Sequence, residues 1–367
     1  MCRTAGVLQK GGYTMPTAVK IILAAVAVIV LAAVIALSAV GIRIYRSTFD
    51  VSFHTSPENA LTAAHYDGLS VENVRFAAKQ GHMLAGYRYH HESTAEPKGV
   101  VVLAHGFGGG GHCAYMPLIA YFAANGYDVF SYDATSCDNS EGEVIGGFPQ
   151  GVMDLDCAIR YVEANMPGMP VFLVGHSWGA YSVGNVLNFH PDVKGAVMFA
   201  GFDRTELMLV QEGEKRAGKA AGLLIPLVRA YEWFCYGEYA QTSVIGGIRA
   251  AQDAQIMIVH SSDDRTVTQA IGYDLYAEAF AGDDRVHFRH YDHRGHSGLW
   301  LDPQVKAYRN SLGYKWRGFL KVAGTADLAE AKARFRDNPD YVDFARCYAL
   351  DEPLMGDILA MFDAALQ

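Results

Sequence analysis

Residues 171–185 read VFLVGHSWGAYSVGN, and no other stretch constrains the architecture as strongly. Val171 to Val174 form a short, unbroken apolar run rich in β-branched residues. Such a run suits a strand covered on both faces. The spacing from Gly179 onward is helical. A strand must therefore turn directly into a helix across Gly175-His176-Ser177-Trp178-Gly179. So tight a turn crowds the backbone on either side of its centre, and glycine at both flanks relieves the crowding. The serine at the centre then stands clear of the backbone. The helix behind it points its N-terminal N–H groups and dipole at whatever reacts there. The five-residue motif alone is common, so the strand before it and the helix after it carry the argument.

The rest of the chain repeats this rhythm. VENVRFAAKQGHMLAGYRYH reads as a hairpin turning at Gln80-Gly81. GVVVLAH, YDVFSYD, VKGAVMFAG, AQIMIVHS and VHFRHYD read as further strands, most of them separated by helical stretches. Alternation of this kind predicts an α/β fold with a mostly parallel central sheet and helices on both faces. At 367 residues the chain fits one such domain with insertions, and we place it at 71–367. Residues 203–250 lack a strand and are expected to form a small helical cap. Tyr231, Trp233, Phe234 and Tyr236 would line its apolar pocket as substrate-binding residues. A second helical insertion is expected at 302–350.

The N-terminus adds a membrane question. From Val19 to Ile42 the only charge is Lys20, and about 20 apolar residues suffice for a helix to cross a bilayer. We expect an N-terminal tail at 1–18, a transmembrane helix at 19–42 and a linker at 43–70. The apolar run exceeds the usual secretory signal region, although Ala36-Leu37-Ser38 would be a poor cleavage site for one. Arg3, Lys10 and Lys20 precede the span and Arg43 and Arg46 follow it. This small excess favours a single-pass anchor with its catalytic domain outside the cytoplasm.

Composition excludes some functions. A net charge of −9 without a basic stripe argues against nucleic acid. The six cysteines include no close pair of the structural zinc type. His287, His290, His293 and His296 recur every third residue, but that step alternates faces on a strand. They cannot converge on a metal, and no metal or cofactor is expected.

A serine nucleophile needs a base, an orienting acid and donors for the oxyanion. The His105-Gly106 turn after a buried strand would free the Phe107 N–H, and the Trp178 N–H is the second donor. VHSSDDRTV offers Asp263 or Asp264 as the acid. YDHRGHSGLW offers His293 or His296 as the base, and Gly295-His296 sits in a loop beyond the strand. The order Ser, Asp, His along the chain suits this architecture.

These stretches, VVLAHGFGGG, ANGYDVFSYDATSCDNSEG, PVFLVGHSWGA, VHSSDDRTV and GHSGLW, resemble the α/β-hydrolase superfamily in its monoacylglycerol lipase and serine aminopeptidase-like branch. The resemblance covers about residues 99 to 300. It implies Ser177, Asp264 and His296 as the catalytic triad, since the acid usually precedes a valine by three residues, as Asp264 precedes Val267. It implies Phe107 and Trp178 as the oxyanion hole and 203–250 as the cap. The chain departs from the family at Cys137 and Asn139, where small residues are usual, and in its N-terminal helix and its 302–350 insertion. The implied activity is hydrolysis of carboxylic esters, including lipid-like or acylglycerol esters, through an acyl-enzyme on Ser177. Peptidase, amidase or acyltransferase chemistry on the same triad is the alternative. A dinucleotide-dependent oxidoreductase built on GFGGGG, with Asp133 as its acidic residue, is a third reading. A catalytically inactive binding module is a fourth.

Overall fold

Val100, Val102 and Ala104 belong to the apolar core on one face of the central sheet, and Val101 and Leu103 to the core on the other. Alternate residues of a strand point to opposite faces, so an unbroken apolar run serves a sheet covered on both sides. This computed structural model describes residues 15–367. The expected N-terminal tail, with Cys2, Arg3 and Lys10, falls largely on residues 1–14, outside the described residues.

Eight strands form one sheet: β1 (Leu69–Ala77), β2 (Met83–His91), β3 (Val100–Ala104), β4 (Asp128–Tyr132), β5 (Val171–His176), β6 (Gly195–Phe199), β7 (Gln255–Ser261) and β8 (Val286–Tyr291). Their spatial order is β1-β2-β4-β3-β5-β6-β7-β8. The β1–β2 hairpin and the β2–β4 pair are antiparallel, and every other pair is parallel. This is the α/β-hydrolase fold. Gly81, at φ 93°, turns the hairpin in the left-handed region that glycine tolerates.

Thirteen α-helices surround the sheet among the described residues: α1 (Thr17–Phe49), α2 (Met116–Ala124), α3 (Phe148–Asn165), α4 (Trp178–Val186), α5 (Thr205–Ala217), α6 (Ile225–Tyr236), α7 (Val244–Ala250), α8 (Tyr273–Ala279), α9 (Gln304–Ser311), α10 (Gly313–Leu320), α11 (Leu328–Arg336), α12 (Phe344–Cys347) and α13 (Glu352–Ala364). Buried residues of α3 and α4 join the core on one face of the sheet, and those of α2 and α13 join the other. Phe362 of α13 lies 4.4 Å, ring centre to ring centre, from Phe172 of β5, so the last helix seals the strand that leads to Ser177. Leu312, Phe319, Phe335 and Val342 form a separate small core within 302–350. Arg336 ties this unit to the chain near residue 60 through the carbonyls of Pro57 and Glu58.

Helix α1 is long and apolar enough to cross a membrane, and its apolar part is exposed along its length. A long signal sequence shares these features, so they fit both readings.

The expected linker at 43–70 is not a tether. Helix α1 continues to Phe49, and Gly41, Tyr45 and Phe49 are buried. These residues recur every four positions and so share one helical face. A Cβ on Gly41 would meet Val228 of α6 at 3.3 Å, and Tyr45 donates to Glu232 Oε1 at 2.7 Å. Arg43 and Arg46 end the apolar run but do not end the helix, since arginine is a good helix former. Beyond the helix, Phe53 bridges Cys137 and Leu61 is buried.

Candidate active site

Ser177 joins β5 to α4 with φ 55° and ψ −114°, a conformation that side chains other than glycine rarely adopt. The strain is of order 1–3 kcal/mol and persists only where packing enforces it. The flanking glycines show how. A Cβ on Gly175 would collide with the Gly179 carbonyl, and one on Gly179 with the carbonyl of Ala104 on β3. Ser177 Oγ has no hydrogen-bond partner among the described residues, and Ser177 lines a cavity of about 360 Å3 at the C-terminal edge of the sheet.

His296 lines the same cavity. Its Nδ1 donates to Asp264 Oδ2 at 2.7 Å, which leaves Nε2 as the unprotonated nitrogen of the neutral ring. Burial alone would raise the Asp264 carboxyl. The hydrogen bond from His296 and the amides of Val267 and Thr266 outweigh it and hold the acid below its usual range. Asp263 acts on the backbone instead. Its Oδ1 accepts from the Gly295 N–H at 2.8 Å and so braces the loop that carries His296. His293 occupies the left-handed region at φ 64° in that loop and does not line the cavity.

The two expected oxyanion donors are unengaged. Neither the Phe107 nor the Trp178 amide has an acceptor among the described residues. Trp178 is the first residue of α4, where an N–H has no partner inside the helix. Its indole is buried and donates to the Phe148 carbonyl at 2.8 Å, which fixes the start of the helix. The Phe107 ring meets Trp178, Phe53 and Phe49 edge-on at 5.6, 5.0 and 5.8 Å, so the chain just past α1 packs directly behind this turn. His105 sets the turn from inside: its Nε2 accepts the Ala134 N–H at 2.9 Å and its Nδ1 donates to the Gly106 carbonyl.

Sequence reasoning missed a second chain of hydrogen bonds. Gly106 N–H donates to Tyr115 Oη at 2.9 Å, and Tyr115 in turn donates to His176 Nδ1 at 2.9 Å. His176 Nε2 then donates to the His296 carbonyl at 3.0 Å. Burial, with repulsion from His296, pushes the His176 imidazole down to about 3, so it stays neutral in this role. The network links the Phe107 turn to the base loop. Its only signal in the sequence is a histidine before the serine, which reads as an ordinary buried residue.

The aromatic residues of α6 sit elsewhere. None of Tyr231, Trp233, Phe234 or Tyr236 lines the cavity, and neither does any other residue of 203–250. Trp233 and Phe234 are 59% and 86% exposed, and Tyr231 packs edge-on against Tyr45 of α1. Composition marked the helix as apolar but could not say which side faces the cavity, and α1 occupies one side. The 302–350 insertion and the chain near residue 60 contribute instead, through Arg309, Tyr348, Asn59 and Leu61.

The glycine-rich loop is not laid out for a dinucleotide. Thr55 fills the space beside Gly110, and the buried Asp133 carboxylate accepts from Tyr87, His112 and the Asn139 amide. That acid has no capacity left for a ribose hydroxyl. No cluster of potential metal ligands occurs among the described residues.

Residues 95–245 match the family model described as serine aminopeptidase, S33. A monoglyceride lipase homolog of Monkeypox virus is 37% identical over 23% of this chain. The monoglyceride lipase of Rattus norvegicus is 36% identical over 23%. The chain spans only 31% and 29% of those relatives' lengths. Among solved structures, an esterase from Pyrococcus furiosus aligns with a TM-score of 0.49 at 16% identity, covering 69% of this chain and 91% of that one. Asp264 and His296 lie beyond the matched segment. In its fold and in residues 95–245 the chain is similar to the α/β hydrolases, in the branch of the S33 serine aminopeptidases and monoglyceride lipases.

Proposed function

We propose that the protein is a membrane-anchored serine hydrolase that cleaves carboxylic esters through an acyl-enzyme on Ser177. The observation that carries this reading is the His296–Asp264 pair, whose free Nε2 shares a cavity with the unpartnered Ser177 hydroxyl. His296 takes the serine proton as Oγ attacks the ester carbonyl. Asp264 holds the ring and stabilises its charge. The Phe107 and Trp178 amides receive the oxyanion, each worth about 3–4 kcal/mol of transition-state stabilisation. His296 returns the proton to the leaving alcohol and then activates the water that frees the acid.

An ester suits the cavity better than a peptide N-terminus. An aminopeptidase must hold a substrate ammonium, and no carboxylate lines this cavity. Lipid-like esters are favoured by helix α1, which as a single-pass anchor would keep the site near a bilayer, and by the likeness to monoglyceride lipases. The aromatic residues of α6 give no support to that choice. We place the catalytic domain outside the cytoplasm on the charges flanking α1.

A fluorophosphonate probe tests the reading. It should label the full-length protein in detergent and fail on Ser177→Ala. Equal labelling of both would end the assignment.

A further inference from the structure

We propose that Arg309 makes this hydrolase selective for esters carrying an anionic group, a carboxylate or a phosphate, on the acyl or alcohol side. The proposal rests on the ester-hydrolase reading and adds the substrate class. Arg309 belongs to α9, in the helical segment 302–350, and it lines the cavity that holds Ser177 and His296. Among the described residues it is the single arginine or lysine in that lining, and no acidic side chain accompanies it. Among the described residues no carboxylate pairs with it.

The side chain is solvent-exposed, yet its direction is fixed. Its Nε donates to the Cys347 carbonyl at 2.9 Å, and the guanidinium carbon lies 4.9 Å over the Tyr348 ring. Stacking and one backbone bond fix the plane and leave both terminal nitrogens without an acceptor among the described residues. A guanidinium in that state presents a fork that matches a carboxylate or a phosphate. The glycine-rich loop lines the same cavity, and the Gly109 and Gly110 amides have no acceptor among the described residues. The carboxylates beside this loop are already engaged, Asp138 by Thr55 and the Gly111 amide, and Asp133 by Tyr87 and His112. A cavity edged by an exposed but oriented cation, with free amides and no carboxylate in its lining, favours a negatively charged group. A neutral ester leaves those groups to water alone.

The test compares kcat/KM within two pairs matched in size: mono-4-nitrophenyl adipate against 4-nitrophenyl hexanoate, and 1-oleoylglycerol 3-phosphate against 1-oleoylglycerol. The first pair puts the anion on the acyl side and the second on the alcohol side. Wild type should prefer the anionic member of at least one pair. Arg309→Gln should lower that preference by about tenfold, as expected for loss of a hydrogen-bonded charge contact, and Arg309→Lys should restore part of it. A purely structural role for Arg309 would depress both members of a pair alike. Preference for the neutral member in both pairs, or a ratio unmoved by Arg309→Gln, overturns the proposal. Fluorophosphonate labelling of Ser177 runs alongside. Labelling without anionic preference refutes only the substrate class, whereas absence of labelling refutes the hydrolase reading and this proposal with it.

Discussion

His296 Nδ1 lies 2.7 Å from Asp264 Oδ2, while the neighbouring Asp263 spends its carboxylate on the Gly295 amide of the same loop. Two adjacent acids therefore hold one histidine in different ways, the first through the ring and the second through the backbone. Asp264→Asn should lower kcat by about 10³–10⁴-fold, because an amide favours the wrong imidazole tautomer. Asp263→Asn should cost less than about tenfold, the effect of weakening the bonds its Oδ1 accepts from the Ser261 hydroxyl and the Gly295 amide. Ester turnover by the two variants decides the matter. Comparable losses would mean that the pairing seen here is not the working one.

The glycines at the serine turn make a stability prediction. Gly179 packs against the carbonyls of Ala104 and His105, so any Cβ there must displace β3. Gly179→Ala should destabilise the fold by about 1–3 kcal/mol, the usual cost of forcing extra volume into a packed site. Thermal unfolding in detergent measures it, and Gly168→Ala serves as a partial control, since nothing lies within 4 Å of a Cβ there. Gly168 has φ 80°, so that control carries a strain term of its own. A Gly179→Ala protein as stable as wild type would contradict the close packing.

Tyr115 connects the two halves of the site. Tyr115→Phe removes the acceptor of the Gly106 amide and the donor to His176 Nδ1 in one step. Both groups are buried, and leaving such a group unpaired costs about 1–3 kcal/mol. The variant should fold, lose about tenfold in kcat, and label more slowly with fluorophosphonate at an unchanged end point. Because Tyr115 acts through the Phe107 turn and the base loop, KM should move less than kcat. A loss confined to KM would instead make Tyr115 a substrate contact.

What the sequence made legible follows from how local each signal is. The turn at Ser177 and the strand runs are written in consecutive residues, and their alternation with helices implies a mostly parallel sheet, though not its strand order. Loops just past strand ends narrowed the acid to Asp263 or Asp264 and the base to His293 or His296, and the family resemblance, not the local pattern, singled out Asp264. The residues that shape the cavity were not readable in this way. Arg309 and Tyr348 come from an insertion with its own small core, and Asn59 and Leu61 from a stretch that reads as a linker. Their meeting depends on long-range contacts such as Arg336 with the carbonyls near residue 60. Helix α6 failed for a related reason. Its apolar content was plain, but the identity of its partner, the lower part of α1, cannot be deduced from composition.

That α1–α6 contact holds a buried acid with a measurable pH signature. Glu232 accepts from Tyr45 through Oε1, while its Oε2 is buried without a partner among the described residues. Burial pushes the carboxyl up to about 8 from a usual value of 4.5. The folded pKa thus lies above the unfolded one. Between those two values the unfolded chain releases a proton that the folded chain keeps. Any stability this group contributes is present in full below pH 4.5 and is lost as pH rises through about 8, at up to roughly 1.4 kcal/mol per pH unit. Glu232→Gln keeps an acceptor for Tyr45 and removes the ionisation. In detergent, the unfolding midpoint of Glu232→Gln should exceed that of wild type at pH 8, and the difference should shrink toward pH 4.5. A difference that stays constant across this range would show that Glu232 ionises as freely in the folded protein as in the unfolded chain, contrary to its burial against α1.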